Sequence, residues 1–108
     1  MAFVIKKAAS YKWPVKVETP ADGGTFEKQT FDAVFKKLGR AAFNALIDKG
    51  DDAFIDGILE GWDGIKDEDG KDIPFTEKSK KELCDDSCFV KAVITAYSAS
   101  VTGEPAKN

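Results

Sequence analysis

Tyr11-Lys12-Trp13-Pro14-Val15-Lys16-Val17-Glu18-Thr19, followed by Pro20-Ala21-Asp22-Gly23-Gly24, is the stretch on which the fold turns. Its side chains alternate. Tyr11, Trp13, Val15 and Val17 share one face of an extended chain, with Lys12, Lys16 and Glu18 on the other, the period of two that marks a half-buried strand. Pro14 falls in the polar register and has no N–H to give to a ladder, which predicts an edge strand or a bulge. The cluster Thr19 to Gly24 supplies the positive φ values that a tight reversal needs. A second strand from about Phe26 to Phe35, with Phe31, Ala33 and Phe35 on one face, completes a β-hairpin. Phe3-Val4-Ile5 is a candidate third strand.

After Leu38 the period becomes helical. Leu38, Ala42, Ala45 and Leu46 form one stripe, and Gly50 is placed to end that helix. Asp51 or Asp52 can cap the next helix, in which Phe54, Ile55, Ile58, Leu59 and Trp62 recur at three and four. Gly57 and Gly61 lower helix propensity there but permit close approach of a neighbouring backbone. Trp62 to Phe75 reads as an acidic loop. Thr76 is an N-cap for a helix through about Leu83, and Asp85-Asp86-Ser87 offers caps for a last helix. That helix sets Phe89, Val93, Ala96 and Tyr97 on one side, with Val90, Ile94 and Val101 broadening the face. The expected class is α+β: an N-terminal hairpin, of three strands if Phe3–Ile5 joins it, then about four short helices. Residues 1–102 form a single domain in this reading, and residues 103–108 a flexible tail.

Bulk properties narrow the function. The chain has 108 residues, 43% hydrophobic and 32% charged, with 8 Phe, 2 Trp and 2 Tyr, enough to anchor a core. A net charge of -3 argues against a phosphate-neutralising face and hence against nucleic acid as a partner. No apolar run approaches the roughly 20 residues that span a bilayer. The start, Met1 to Lys7, has its lysines after the apolar residues rather than before them, unlike a signal peptide. The expectation is a cytosolic protein with no membrane partner. Cys84 and Cys88 then read as free thiols, packed at a helix junction. No histidine occurs anywhere, which removes the commonest general base and the commonest neutral metal ligand.

Two features invite chemistry. Asp67-Glu68-Asp69-Gly70-Lys71-Asp72-Ile73 looks like part of a calcium-binding EF-hand loop, making Asp67, Asp69 and Asp72 weak candidate ligands. Placing Gly70 at the motif's glycine puts Ile65 where the first carboxylate belongs, Asp72 where an apolar residue belongs and Thr76 where the bidentate Glu belongs. A solvated turn closed by Asx hydrogen bonds accounts for it better. Trp62, flanked by Gly61 and Gly64, closes the core against the loop if buried and anchors an interface if exposed. No nucleophile with a base, phosphate loop or ligand cluster assembles, so the expectation is no enzyme, no cofactor and no metal.

The order of segments resembles the tail assembly chaperones of long-tailed phages and prophages. Trp13-Pro14-Val15, Pro20-Ala21-Asp22-Gly23 and Phe31 to Phe35 carry the first part of the likeness. Gly61-Trp62-Asp63-Gly64-Ile65, the acidic turn Asp67 to Gly70, Pro74-Phe75-Thr76 and a helix opening near Phe89 with Ala96-Tyr97 carry the rest. One departure stands in Leu83 to Phe89, where the family often has a Pro. The resemblance implies a non-enzymatic protein of the host cytoplasm that holds the tape-measure protein and helps recruit tail-tube subunits. The partner contacts are then expected at Trp13, Phe54, Ile58, Trp62, Phe89, Val93 and Tyr97, with self-association left open. The alternatives are a structural minor tail component, tube or completion protein, and a calcium-binding regulatory module built on loop 63–72.

Overall fold

The computed structural model describes residues 10–102; the candidate strand Phe3–Ile5 and the tail 103–108 lie outside the described residues. Strand β1 (Ser10–Ala21) pairs antiparallel with β2 (Thr25–Lys36) along its whole length, from Ser10↔Lys36 to Ala21↔Thr25. The reversal needs only Asp22-Gly23-Gly24, with Gly23 at φ 82° and Gly24 at φ 76°, so Thr19, Pro20 and Ala21 belong to the strand and not to the turn. Both glycines adopt the left-handed region, where a Cβ would be strained.

The alternation reads out as burial. Val15, Ala33 and Phe35 are fully buried and Phe31 nearly so, while Tyr11, Trp13 and Val17 pack half-buried against the same core. The strand order β1-β2-β3 leaves β1 at an edge, where Pro14 costs no ladder bond.

The helical section departs from expectation at one element. After α1 (Arg40–Lys49), α2 spans only Asp51–Ile58, and Leu59–Asp63 forms strand β3 on the far side of β2. Leu59 lies opposite Phe35, Gly61 opposite Val34 and Trp62 opposite Ala33, so Glu60 is the extra residue of a β-bulge. The bulge explains why this segment reads as helix. A regular strand would put residues three apart on opposite faces, but the bulge returns both Leu59 and Trp62 to the core face. Two further forces favour the strand: β2 would otherwise present unpaired N–H and C=O groups, and Gly61 is a poor helix former, by about 1 kcal/mol.

In α1, too, the packing stripe is shifted. Ala42 and Ala45 are exposed, and Phe43 with Leu46 touches the core. Leu38 precedes the helix, so a stripe counted from it falls out of phase. Gly57 of α2 sits under Leu46: a Cβ there would lie 3.1 Å from Leu46 Cδ2 and closer still to Cδ1. The last two helices are α3 (Glu77–Cys84) and α4 (Ser87–Thr102). Thr76 caps α3 through a reciprocal pair, Ser79 N–H to Thr76 Oγ1 at 3.1 Å and Thr76 N–H to Ser79 Oγ at 2.9 Å. Asp86, rather than Ser87, caps α4 by accepting from Cys88 N–H at 2.9 Å.

One layer of helices thus covers one face of a three-stranded sheet. Aromatic rings join the layers: Phe35 meets Tyr97 edge-on at 5.1 Å, Phe31 stacks on Phe89 at 5.7 Å, and Phe43 meets Phe54 at 5.5 Å. Such pairs add about 0.5–1.5 kcal/mol each beyond the area they bury. Tyr97 also donates its hydroxyl to Lys36 O at 3.1 Å, so even its polar tip is satisfied within the core.

Candidate partner-binding site

The residues expected at a partner surface divide into two groups. Phe54, Ile58, Phe89, Val93 and Tyr97 are all buried, none more than 4% exposed, so they form the core and are not presented to a partner in this conformation. Trp13 and Trp62 are half-buried. Trp13 lies on the edge strand with its ring edge-on to Tyr11 at 6.4 Å. Trp62 closes the core against the acidic loop: its ring meets Phe75 at 4.7 Å and its indole N–H donates to Ile73 O at 2.8 Å. With its one donor already engaged, Trp62 acts as a seal.

The acidic loop is tied by its own backbone. One carboxylate oxygen of Asp67 accepts from Asp69 N–H at 2.9 Å and Lys71 N–H at 3.0 Å, while Gly70 takes φ 82°. Asp72 pairs with Lys66 at 3.1 Å on the surface. Among the described residues no group of three or more His, Cys, Asp or Glu is arranged to hold a metal ion.

What the fold does form is a groove on the helical layer. One cleft of about 360 Å³ lies between α2 and α3 and a second of about 500 Å³ between α2 and α4; they share Asp52, Cys84 and Asp85 and so run into each other. Val90 and Ile94, one turn apart on α4, contribute half-buried apolar surface, and Cys84 joins the two clefts. Asp51 and Asp52 stand in the first turn of α2, where the helix dipole favours carboxylates.

The end of the groove between α2 and α3 is closed by Lys80. Its ammonium reaches Asp56 at 2.5 Å and Glu77 at 3.6 Å, and lies 5.4 Å from the centre of the Phe75 ring. The side chain is only 9% exposed, and the hydrogen bond to Asp56 is the main cause that raises its pKa above the ordinary lysine value. Burial is the main cause that pushes the Cys84 thiol up; the negative charge of Asp52 adds to it, the Lys80 ammonium opposes it, and Asp56 adds a smaller upward push. Asp85 and Asp86, its neighbours in sequence, are not what raises it.

None of these groove residues stands out in the sequence as a site. Asp51, Asp52 and Asp85 read as caps, and Val90 and Ile94 as a widened core face. The one signal was the width of the apolar face on α4, greater than one packing partner can cover.

Comparison with known proteins adds the family. Residues 30–107, well over half of the chain, match the YdaY prophage protein family, and the chain belongs to it. No curated protein and no solved structure matches. The matched span begins inside β2, so it includes all the helices and the groove but leaves out β1 and the turn.

Proposed function

We propose that this member of the YdaY prophage protein family is a non-enzymatic tail assembly chaperone, acting in the host cytoplasm to hold the tape-measure protein and help recruit tail-tube subunits. The observation that carries this reading is the groove between α2, α3 and α4, with apolar surface at Val90, Ile94 and Cys84. A long helical partner with an apolar stripe is insoluble until that stripe is covered, and a groove of this kind covers a helix reversibly. Two further facts support it. The family is one of prophage proteins, and no helix among the described residues is long and apolar enough to cross a membrane.

Co-expression with a tape-measure protein of a long-tailed prophage is the test. The reading expects a co-purifying complex and a larger soluble fraction of the partner; failure of both contradicts it. The rival reading, a structural minor tail component, is separated by purified particles, which would contain the protein if it were a tube or completion subunit and lack it if it is a chaperone.

A further inference from the structure

We infer that the groove between α2, α3 and α4 takes a basic amphipathic helix of a partner protein, its apolar stripe lying on Val90, Ile94 and Cys84 and its Lys or Arg side chains facing Asp51, Asp52 and Asp85. The inference deepens the binding reading above and rests on it for the existence of a partner. What it adds is the chemistry of the segment bound.

The apolar part of the match follows from spacing. Val90 and Ile94 are separated by four residues, about 6 Å along α4, close to the separation of successive stripe residues on a second helix. The floor is interrupted by neither of the buried aromatic rings of α4, Phe89 and Tyr97, which turn to the sheet and to α2. A helix laid in the groove therefore meets small and branched side chains, the surfaces into which ridges pack.

Charge selects between possible helices. Five carboxylates line the two clefts, Asp51, Asp52, Asp56, Glu77 and Asp85, against three ammonium groups, Lys80, Lys81 and Lys91. Lys80 is already neutralised by Asp56 and Glu77. Asp51, Asp52 and Asp85 have no ion pair among the described residues. The excess is thus negative at the rim, and at the Cys84 thiol on the groove floor the upward push of Asp52 outweighs the opposing push of the Lys80 ammonium. An acidic helix would bring like charges together in a partly desolvated cleft, and a basic one completes ion pairs. Lys81 and Lys91 permit an occasional acid in the bound helix but do not reverse the sign.

The test uses the full chain, labelled with ¹⁵N, and two synthetic helical peptides. Both carry leucine at stripe positions; one has lysine and the other glutamate at the remaining sites. The lysine peptide should bind saturably and shift amide resonances of α2, α3 and the first half of α4. The doubly substituted Asp52→Asn/Asp85→Asn chain should bind it about 3- to 10-fold more weakly at low salt, the range expected for two part-exposed ion pairs. Ile94→Lys should abolish binding, and a circular dichroism spectrum equal to that of the parent chain confirms that the fold persists. Equal binding of the glutamate peptide, resonance shifts confined to the sheet, or no saturation by roughly 1 mM, the limit of useful affinity, overturns the inference. The two readings fail separately. A tape-measure complex formed without peptide binding leaves the chaperone and removes the groove, whereas peptide binding without that complex leaves the groove and removes the tape-measure protein.

Discussion

At the scale of single residues, Gly57 is tied to one neighbour, the half-buried Leu46 side chain. A methyl group there meets Leu46 Cδ2 at 3.1 Å and Cδ1 closer still, so the whole Leu46 side chain must swing away. Gly57→Ala should destabilise the chain by about 1 kcal/mol through this overpacking, despite the better helix propensity of Ala. In a Leu46→Ala background the same change should stabilise, and chemical denaturation of the four variants reads the coupling. Asp67 offers a second check. Its carboxylate closes the loop by accepting two backbone N–H groups, so Asp67→Ala should cost about 0.5–1.5 kcal/mol. Calcium in millimolar excess should leave the melting temperature of the parent chain unchanged; a rise would revive the calcium-binding module. Cys84 reports the field of the groove. Its thiol is pushed above its ordinary value by burial first and by Asp52 next, against the opposing charge of Lys80. In a Cys88→Ser background, its alkylation should come on only at a pH above that of a free thiol. Asp52→Asn should move the midpoint down, and no movement would mean that Asp52 does not reach the thiol.

At the scale of elements, the hairpin was legible because each of its cues is local. Period-two alternation from Tyr11 to Val17, the glycines at 23 and 24, and Pro14 in the outward register all point the same way, and β1 and β2 follow. The segment from Leu59 to Asp63 was not legible, since Leu59 and Trp62 are three apart and only a bulge at Glu60 lets a strand bury both. That bulge is set by the open edge of β2, a tertiary demand that spacing cannot express. Deleting Glu60 makes the strand regular and turns either Leu59 or Trp62 to solvent, so the deletion should cost about 2–4 kcal/mol, as for loss of a large core side chain. Retained stability would contradict the strand assignment. A pH dependence belongs to the junction of α2 and α3. Lys80 has a raised pKa in the folded chain, chiefly from its hydrogen bond to Asp56. Its contribution is therefore complete below the unfolded value of 10.5 and is lost as pH rises through the folded value. Stability should fall more steeply above pH 10.5 in the parent chain than in Lys80→Met, as thermal melts across that range would show.

At the scale of the whole molecule, sheet and helices divide the work. The sheet carries one face of the core and leaves its other face polar, with Lys12 and Asp63 paired across it at 3.7 Å. The helices carry the other side of the core and leave a groove on their outside, within the span that matches the prophage family. The class, a hairpin followed by short helices, could be read from the sequence, but the position of the candidate groove could not. Five aromatic and aliphatic residues that looked like anchors, among them Phe54 and Tyr97, are core. The groove residues Asp52, Asp85, Val90 and Ile94 come together only because α2, α3 and α4 converge. A residue can be assigned to a stripe from its spacing, but which side of a helix is left uncovered depends on how many neighbours the fold supplies. The most direct measurement is co-expression of the chain with a tape-measure protein of a long-tailed prophage, followed by affinity purification. The expected result is a soluble complex that weakens on Ile94→Lys substitution; a tape-measure protein that stays insoluble and is not retained would contradict the account.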